Sequence, residues 1–346
     1  MKRPYEQQQQ LRGTATLSVP LSALHYEELY SRISTAIGTE LISATTTKRL
    51  LDTAVSDYLA RLLFKEIVPL SAAASSIRVP GDLSSAILVD RSTYITVTHT
   101  NIVMSIVMEG AEEEGGEREK EAFIEWAIAR LRDEGDLQRG SARSFVNYVI
   151  DQEYIRAIVV AEGAAAFVSD GSVLIDGVIA DNAPTVVPFL SPPEHRKELL
   201  LPCSVQRVCG MWCPKGVTVV CGGGYHGKST FLQAMARGVH SRVVACSRND
   251  HQQYVVTDRS ALHIRAEDGR QVHSVDCSAF FHSLPQSCSI DVRDISSGCA
   301  SGSLSMAAAV VEAVHAGCRL LLVDEDSSAA NFLTNDSRMR YVAINR

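Results

Sequence analysis

The sequence predicts an α/β fold, and three observations predict it. A short apolar run at 217–221, VTVVC, opens into a glycine-rich loop that is followed by a helical pattern over 231–238. A second apolar run at 320–323, LLLV, ends in the acidic cluster Asp324-Glu325-Asp326. Upstream of both, stretches with helical spacing alternate with stretches rich in strand-forming residues. Alternation of this kind builds a sheet covered by helices.

The elements follow in order. Residues 1–15, with the run Gln7 to Gln10, read as a disordered tail; residues 16–190 read as a smaller N-terminal α/β domain; residues 191–346 read as a nucleotide-binding core. The proline-bearing segment with Pro184, Pro188, Pro192 and Pro193 marks the break. Over 46–64 the apolar residues Leu50, Leu51, Ala54, Leu59, Leu62 and Leu63 fall at helical spacing. Strands are expected at 85–89, 94–98 and 101–108, and a solvated charged loop at 110–121. Helices are expected at 121–133 and 144–163, the second capped by Ser144. Residues 165–168 and 173–175 read as a strand pair around the turn Asp170-Gly171.

Composition bounds the function classes. The 346 residues are 46% hydrophobic and 21% charged, ordinary for a globular chain with a sizeable core. A net charge of -7 argues against a nucleic-acid-coating surface, while Arg265, Arg270, Arg293 and the 128–143 region supply local positive charge. No apolar run reaches bilayer length, so no membrane association is expected. Nine cysteines, none spaced Cys-x-x-Cys, read as free thiols in a reducing compartment rather than a zinc site. The N-terminus lacks the apolar core of a secretory signal, which implies an intracellular protein, cytoplasmic or mitochondrial.

The glycine loop carries the sharpest chemistry. Gly222-Gly223-Gly224-Tyr225-His226-Gly227-Lys228-Ser229-Thr230 fits the Gly-x-x-x-x-Gly-Lys-Ser pattern, with a strand pattern before it and a helix pattern after it. Glycines let the backbone approach phosphate oxygens closely, and successive amides then form an anion nest at a helix N-terminus. Lys228 is expected on the β- and γ-phosphates, Ser229 on Mg2+, and Thr230 on the α-phosphate. The core is therefore expected to be a P-loop NTPase that binds ATP. At the end of the second apolar run, Asp324 is expected to hold Mg2+ through water, and Glu325 to orient the attacking water. The segment Ser301-Gly302-Ser303-Leu304-Ser305 opens a small-residue helix and offers a second anion-binding N-terminus.

Together these motifs resemble the ATP-binding cassette ATPases. Ser301 to Ser305 resembles the signature motif, Asp324-Glu325 the Walker B pair, and 327–331 the D-loop. The ordered series Ala166 to Ser172, Val187-Pro188-Phe189, Gly210-Met211, Val255 to Asp258 and Ile264 to Arg270 is similar to the soluble predicted ATPases of the ABC class. That resemblance is dense from about 165 to 340. It implies an ABC-ATPase-like core, ATP and Mg2+ as ligands, and a homodimer in which Ser301, Gly302 and Ser303 face the partner's γ-phosphate. It also implies that Glu267 or Asp268 stands near the position of the glutamine loop. Met306 stands where the family pattern has glutamine. No histidine follows Glu325, and the sheet is expected to be incomplete at its C-terminal end. The alternative to an ATPase is a nucleotide-binding module without efficient turnover, acting as a regulator with an RNA or protein partner.

Overall fold

A computed structural model describes residues 12–38, 40–71, 77–78, 83, 87–91, 93–109, 116–138, 140–174, 187–243, 253–281 and 291–333. The run Gln7 to Gln10, the segment 110–115, Ile175 and Pro184 lie outside the described residues. The chain divides into two compact units. The first comprises 1–158, 198–208 and 241–252, and the second comprises 159–197, 209–240 and 253–346.

In the first unit, β1 (Arg12–Pro20) pairs antiparallel with β4 (Asn101–Glu109), from Arg12↔Glu109 to Pro20↔Asn101. The short strands β2 (Ile77–Arg78) and β3 (Ile95–Val97) also pair with β4. Residues 12–15, expected in a disordered tail, therefore belong to a strand. Their backbone pairs with residues 106–109 of β4. Alternation sets the buried face: Ile102, Met104, Ile106 and Met108 are all buried, as are Leu17 and Val19. Three helices cover that face: α1 (Tyr26–Ile37), α2 (Ala44–Arg61) and α3 (Gly116–Glu134). Tyr26, Leu29, Ile33 and Ile37 repeat at three- and four-residue spacing along α1 and point into the core. The Ser43 hydroxyl caps α2 by accepting from the Thr46 amide at 3.3 Å. The charged run expected as a loop over 110–121 turns helical from Gly116, because Phe123, Ala127 and Leu131 give that segment an apolar stripe.

The helix expected at 144–163 is α4 (Gly140–Ala161). Ser144 lies inside it rather than at its cap. Val146, Val149, Ile150, Ile155 and Val159 are fully buried, so α4 is covered nearly all round. Two of its buried polar residues, Asp151 and Gln152, are matched by backbone groups. Asp151 accepts from the amides of Cys203 and Ser204, both at 3.0 Å. Gln152 accepts from the Arg242 amide at 2.8 Å and donates to the Arg242 carbonyl at 2.7 Å.

In the second unit, β7 (Arg207–Pro214), β5 (Ala164–Ser169) and β8 (Val255–Thr257) form an antiparallel sheet in that order; β6 (Arg196–Leu200) lies where the chain passes between units. β9 (Leu262–Ile264) and β12 (Leu321–Val323) pair in parallel, and β10 (Val272–Val275) pairs with β11 (Ile295–Ser297). Val173 and Leu174, expected in a hairpin with 165–168, lie outside any strand. The turn at Asp170-Gly171 docks onto the proline-bearing segment instead. Asp170 accepts from the Ser191 amide at 2.6 Å, and the Gly171 amide donates to the Phe189 carbonyl at 2.8 Å. These bonds group residues 187–191 with β5, and the compact unit begins at 159, upstream of the expected break at 190.

A candidate nucleotide-binding site

The glycine loop runs directly into α5 (Lys228–Arg237). Gly227 caps the helix in the left-handed region at φ 84°, which an L side chain rarely adopts. Its carbonyl accepts from the Phe231 amide at 2.9 Å and closes the first turn. Gly222, Gly223, Gly224, Tyr225, His226 and Gly227 are all exposed, while Lys228, Ser229 and Thr230 are half-buried at the helix start. The Lys228 ammonium folds back to donate to the Gly223 carbonyl at 2.9 Å. The His226 ring covers the same glycine, with Cε1 3.2 Å from where a Gly223 Cβ would stand. Tyr225 projects fully into solvent from a positive-φ position.

The strand expected at 217–221 is absent. These residues have no strand pairing, and Val217 and Val219 are 95% and 73% exposed. The physical reason is the lack of a neighbour. A strand needs a partner for its amides and carbonyls, and among the described residues β12 pairs with β9, leaving none beside 217–221. α5 is positioned through its apolar face instead. Phe231, Ala234 and Met235 share one core with Leu322 of β12 and Val255 of β8. The Gly238 carbonyl, just past the helix, accepts from the Thr257 amide at 3.0 Å.

β12 carries the acidic cluster, as expected, with Leu322 buried and Leu321 and Val323 half-buried. Beyond Val323 the chain turns sharply. The Asp324 carbonyl accepts from the Ser327 amide at 3.2 Å and from the Ser328 hydroxyl at 2.7 Å. Among the described residues, the Asp324 and Glu325 side chains take no hydrogen bond or ion pair, so both carboxylates are available to a ligand. Asp324 is half-buried and Glu325 exposed. Beside them on β9, burial lowers the His263 imidazole pKa and the nearby Arg265 lowers it further, against the opposing charge of Asp324.

The signature-like segment starts α6 (Gly302–His315), with Ser301 extended at the cap and no side chain capping the turn. Ser301 is exposed, while Gly302 and Ser303 are half-buried. Ser305 is fully buried and acts as a bridge: its hydroxyl donates to the Gly302 carbonyl at 2.8 Å and accepts from the Glu267 amide at 2.9 Å. Met306 accepts through its sulfur from the Ala329 amide at 3.2 Å. The Ala266 amide donates to the Ser327 carbonyl at 2.9 Å. The turn after β9, the start of α6 and the segment after Asp324 are therefore tied to one another. Sequence reasoning placed Ser305 in its motif and Arg270 in its series but missed both as ties. Motif spacing does not reveal hydrogen bonds between distant segments.

Among the described residues no three His, Cys, Asp or Glu side chains are grouped to hold a metal, and no helix is long and apolar enough to cross a membrane. Cys203, Cys209, Cys213, Cys221, Cys277, Cys299 and Cys318 are free thiols, and burial pushes Cys213 up to about 12. For Mg2+, the chemistry of the donors fits. Ser229 and Asp324 offer hard oxygen ligands on two elements that share a core.

A glycine loop on a helix N-terminus, packed beside an acid-ended parallel strand, defines an α/β P-loop NTPase. Within that class, the family model described as ABC_ATPase, P-loop domain, matches residues 138–346, and the chain belongs to this family. The match begins upstream of position 191 and takes in α4 and β5. "Uncharacterized protein MJ1628" of Methanocaldococcus jannaschii is 27% identical over 201 residues, which cover 54% of this chain and 42% of the relative. The chain thus spans less than half the length of that relative. A P-loop domain is a nucleotide-binding module, and the family suggests nucleotide binding by this chain.

Proposed function

We propose that the chain binds ATP with Mg2+ and hydrolyses it, with the nucleotide held between two copies. The observation that carries this reading is the exposed loop 222–227, seated on the start of α5, whose apolar face packs against β12. Loop amides and the helix N-terminus offer donors to the phosphates. Lys228 exchanges the Gly223 carbonyl for β- and γ-phosphate oxygens. Ser229 and Asp324 would hold the metal, which would supply charge neutralisation for the transferred phosphoryl group. Glu325, exposed and unpaired, orients the attacking water. Ser301, Gly302 and Ser303 present the uncapped start of α6 to the partner's γ-phosphate.

A second reading, binding without efficient turnover, is favoured by the exposed, unpaired run 217–221 ahead of the loop. Fluorescent ATP binding and phosphate release on the full chain separate the two. Lys228→Ala removes a charge-assisted contact and is expected to weaken binding by about tenfold or more. Glu325→Gln is expected to keep binding and to lose about 100-fold or more in phosphate release. A Lys228→Ala protein that binds like the parent overturns nucleotide binding by this loop. A parent with no phosphate release above background favours the second reading.

A further inference from the structure

Besides Ser305 and Met306, the uncapped start of α6 is held by a side chain outside the glycine loop, the acidic cluster and the signature-like segment. Arg270 lies at the end of the turn that follows β9. Its guanidinium donates to the Ser305 carbonyl at 3.4 Å, pairs with Glu312 two turns further along α6, and lies 3.8 Å from Glu267 on its own turn. The backbone adds a pair of bonds beside it: the Gly269 amide donates to the Ala300 carbonyl at 2.8 Å, and the Ala300 amide donates to the Arg270 carbonyl at 2.9 Å. The approach is close, since a Cβ on Gly302 would stand 3.1 Å from the Asp268 carboxylate and 3.2 Å from the Ala266 Cβ. Ala266 in turn donates to Ser327, three residues past Asp324.

We propose that Arg270 is a positioning residue for the in-trans contact: by clamping α6 to the 265–270 turn, it fixes the direction in which Ser301 and Ser303 are presented to the nucleotide on a second copy. This rests on the sandwiched-dimer reading above. An arginine suits the task because its planar fork reaches the Ser305 carbonyl and two carboxylates at once, which an ammonium on a single stem does not. The tie through Ala266 and Ser327 also links the start of α6 to the segment that carries Asp324 and Glu325. A change in that segment on nucleotide binding is thereby felt at the start of α6.

The test uses the full chain carrying Glu325→Gln, so that bound ATP persists. ATP-dependent association is followed by sedimentation, and fluorescent ATP binding is measured on the monomer. Arg270→Ala is expected to weaken association about tenfold or more while monomer binding stays within about twofold. The exchanged pair Arg270→Glu with Glu312→Arg is expected to recover part of the association, which a merely structural loss would not allow. Amide exchange is expected to quicken at 267–270 and 301–306 in Arg270→Ala and to stay unchanged at 222–230. A parent that associates with ATP, beside an Arg270→Ala protein that associates equally well, overturns the role of Arg270 and leaves the dimer standing. A parent that stays monomeric with ATP overturns the dimer itself and the role of Arg270 with it. Loss of monomer binding together with association shows general disruption and also overturns the proposal.

Discussion

At the scale of single residues, two buried carboxylates are each paired with arginine. Asp57 is fully buried and receives Arg61 at 2.9 Å and Arg91 at 2.8 Å, with Arg91 itself almost wholly buried. Removing the carboxylate takes its counter-charge from a buried guanidinium in the first unit. Asp57→Ala is therefore expected to cost about 3–5 kcal/mol of unfolding free energy in urea titrations; a loss below about 1 kcal/mol would show that the triad contributes little. Asp258 directly follows β8 in the second unit. Burial works to raise its pKa, but the Ser260 amide and hydroxyl and the Arg319 guanidinium together hold the carboxyl below its ordinary 3.8. A folded-state pKa below the unfolded one gives stability that is present above about pH 4 and lost as the pH falls through the lower folded value. Asp258→Asn is expected to cost about 1–2 kcal/mol at pH 7 and to flatten the fall in stability below pH 4, read from melts across pH. Parallel pH profiles for parent and variant would refute the assignment.

At the scale of elements, the glycines of the motif series have packing reasons that the sequence does not display. Gly210 pairs with Ser169 across β7 and β5, and a Cβ there would stand 2.4 Å from the Val168 carbonyl oxygen and 2.7 Å from the Ser169 Cα. Those atoms are backbone and have no rotamer to yield. Gly210→Ala is expected to cost about 1–3 kcal/mol in the second unit by overpacking, measured by denaturation; an unchanged midpoint would place the two strands further apart. While α1, whose buried Tyr26, Leu29, Ile33 and Ile37 also repeat at helical spacing, was not read from the sequence, apolar spacing made α2, α3 and α4 legible. It also gave β12, whose apolar run ends in acid residues. It failed at 217–221, where apolar residues in strand order have no strand partner among the described residues and stay exposed. It failed again at 173–174, where side-chain bonds from Asp170 send the turn toward Ser191 instead of back on β5. The candidate site was legible as a list of residues from the loop and the acidic cluster. The ties from Ser305, Met306 and Arg270 were not, because each joins segments far apart in the chain.

At the scale of the whole molecule, the cores of the two units differ in kind. The first unit has one continuous cluster that takes in β1, β4 and the helices α1 to α3. Among the described residues, buried clusters of the second unit gather around α5, around β10 and α6, and around Met306, each smaller than that of the first unit, and Phe167, Tyr254 and Val256 are buried outside them. Apolar burial is the main source of stability, so the second unit, with smaller clusters among the described residues, is expected to be the weaker. Heating is expected to give two calorimetric transitions, the lower belonging to the second unit. The glycine loop and β12 both lie in that unit, and a ligand raises the stability of the folded form that binds it. A non-hydrolysable ATP analogue with Mg2+ at about 100 times its dissociation constant adds about 2.7 kcal/mol to that unit alone. At about 2–4 °C per kcal/mol, the lower transition is expected to rise by roughly 5–10 °C while the upper one stays in place. Lys228→Ala should remove the shift. One merged transition that moves as a whole would mean that the units unfold together, and a shift confined to the upper transition would place the nucleotide on the first unit.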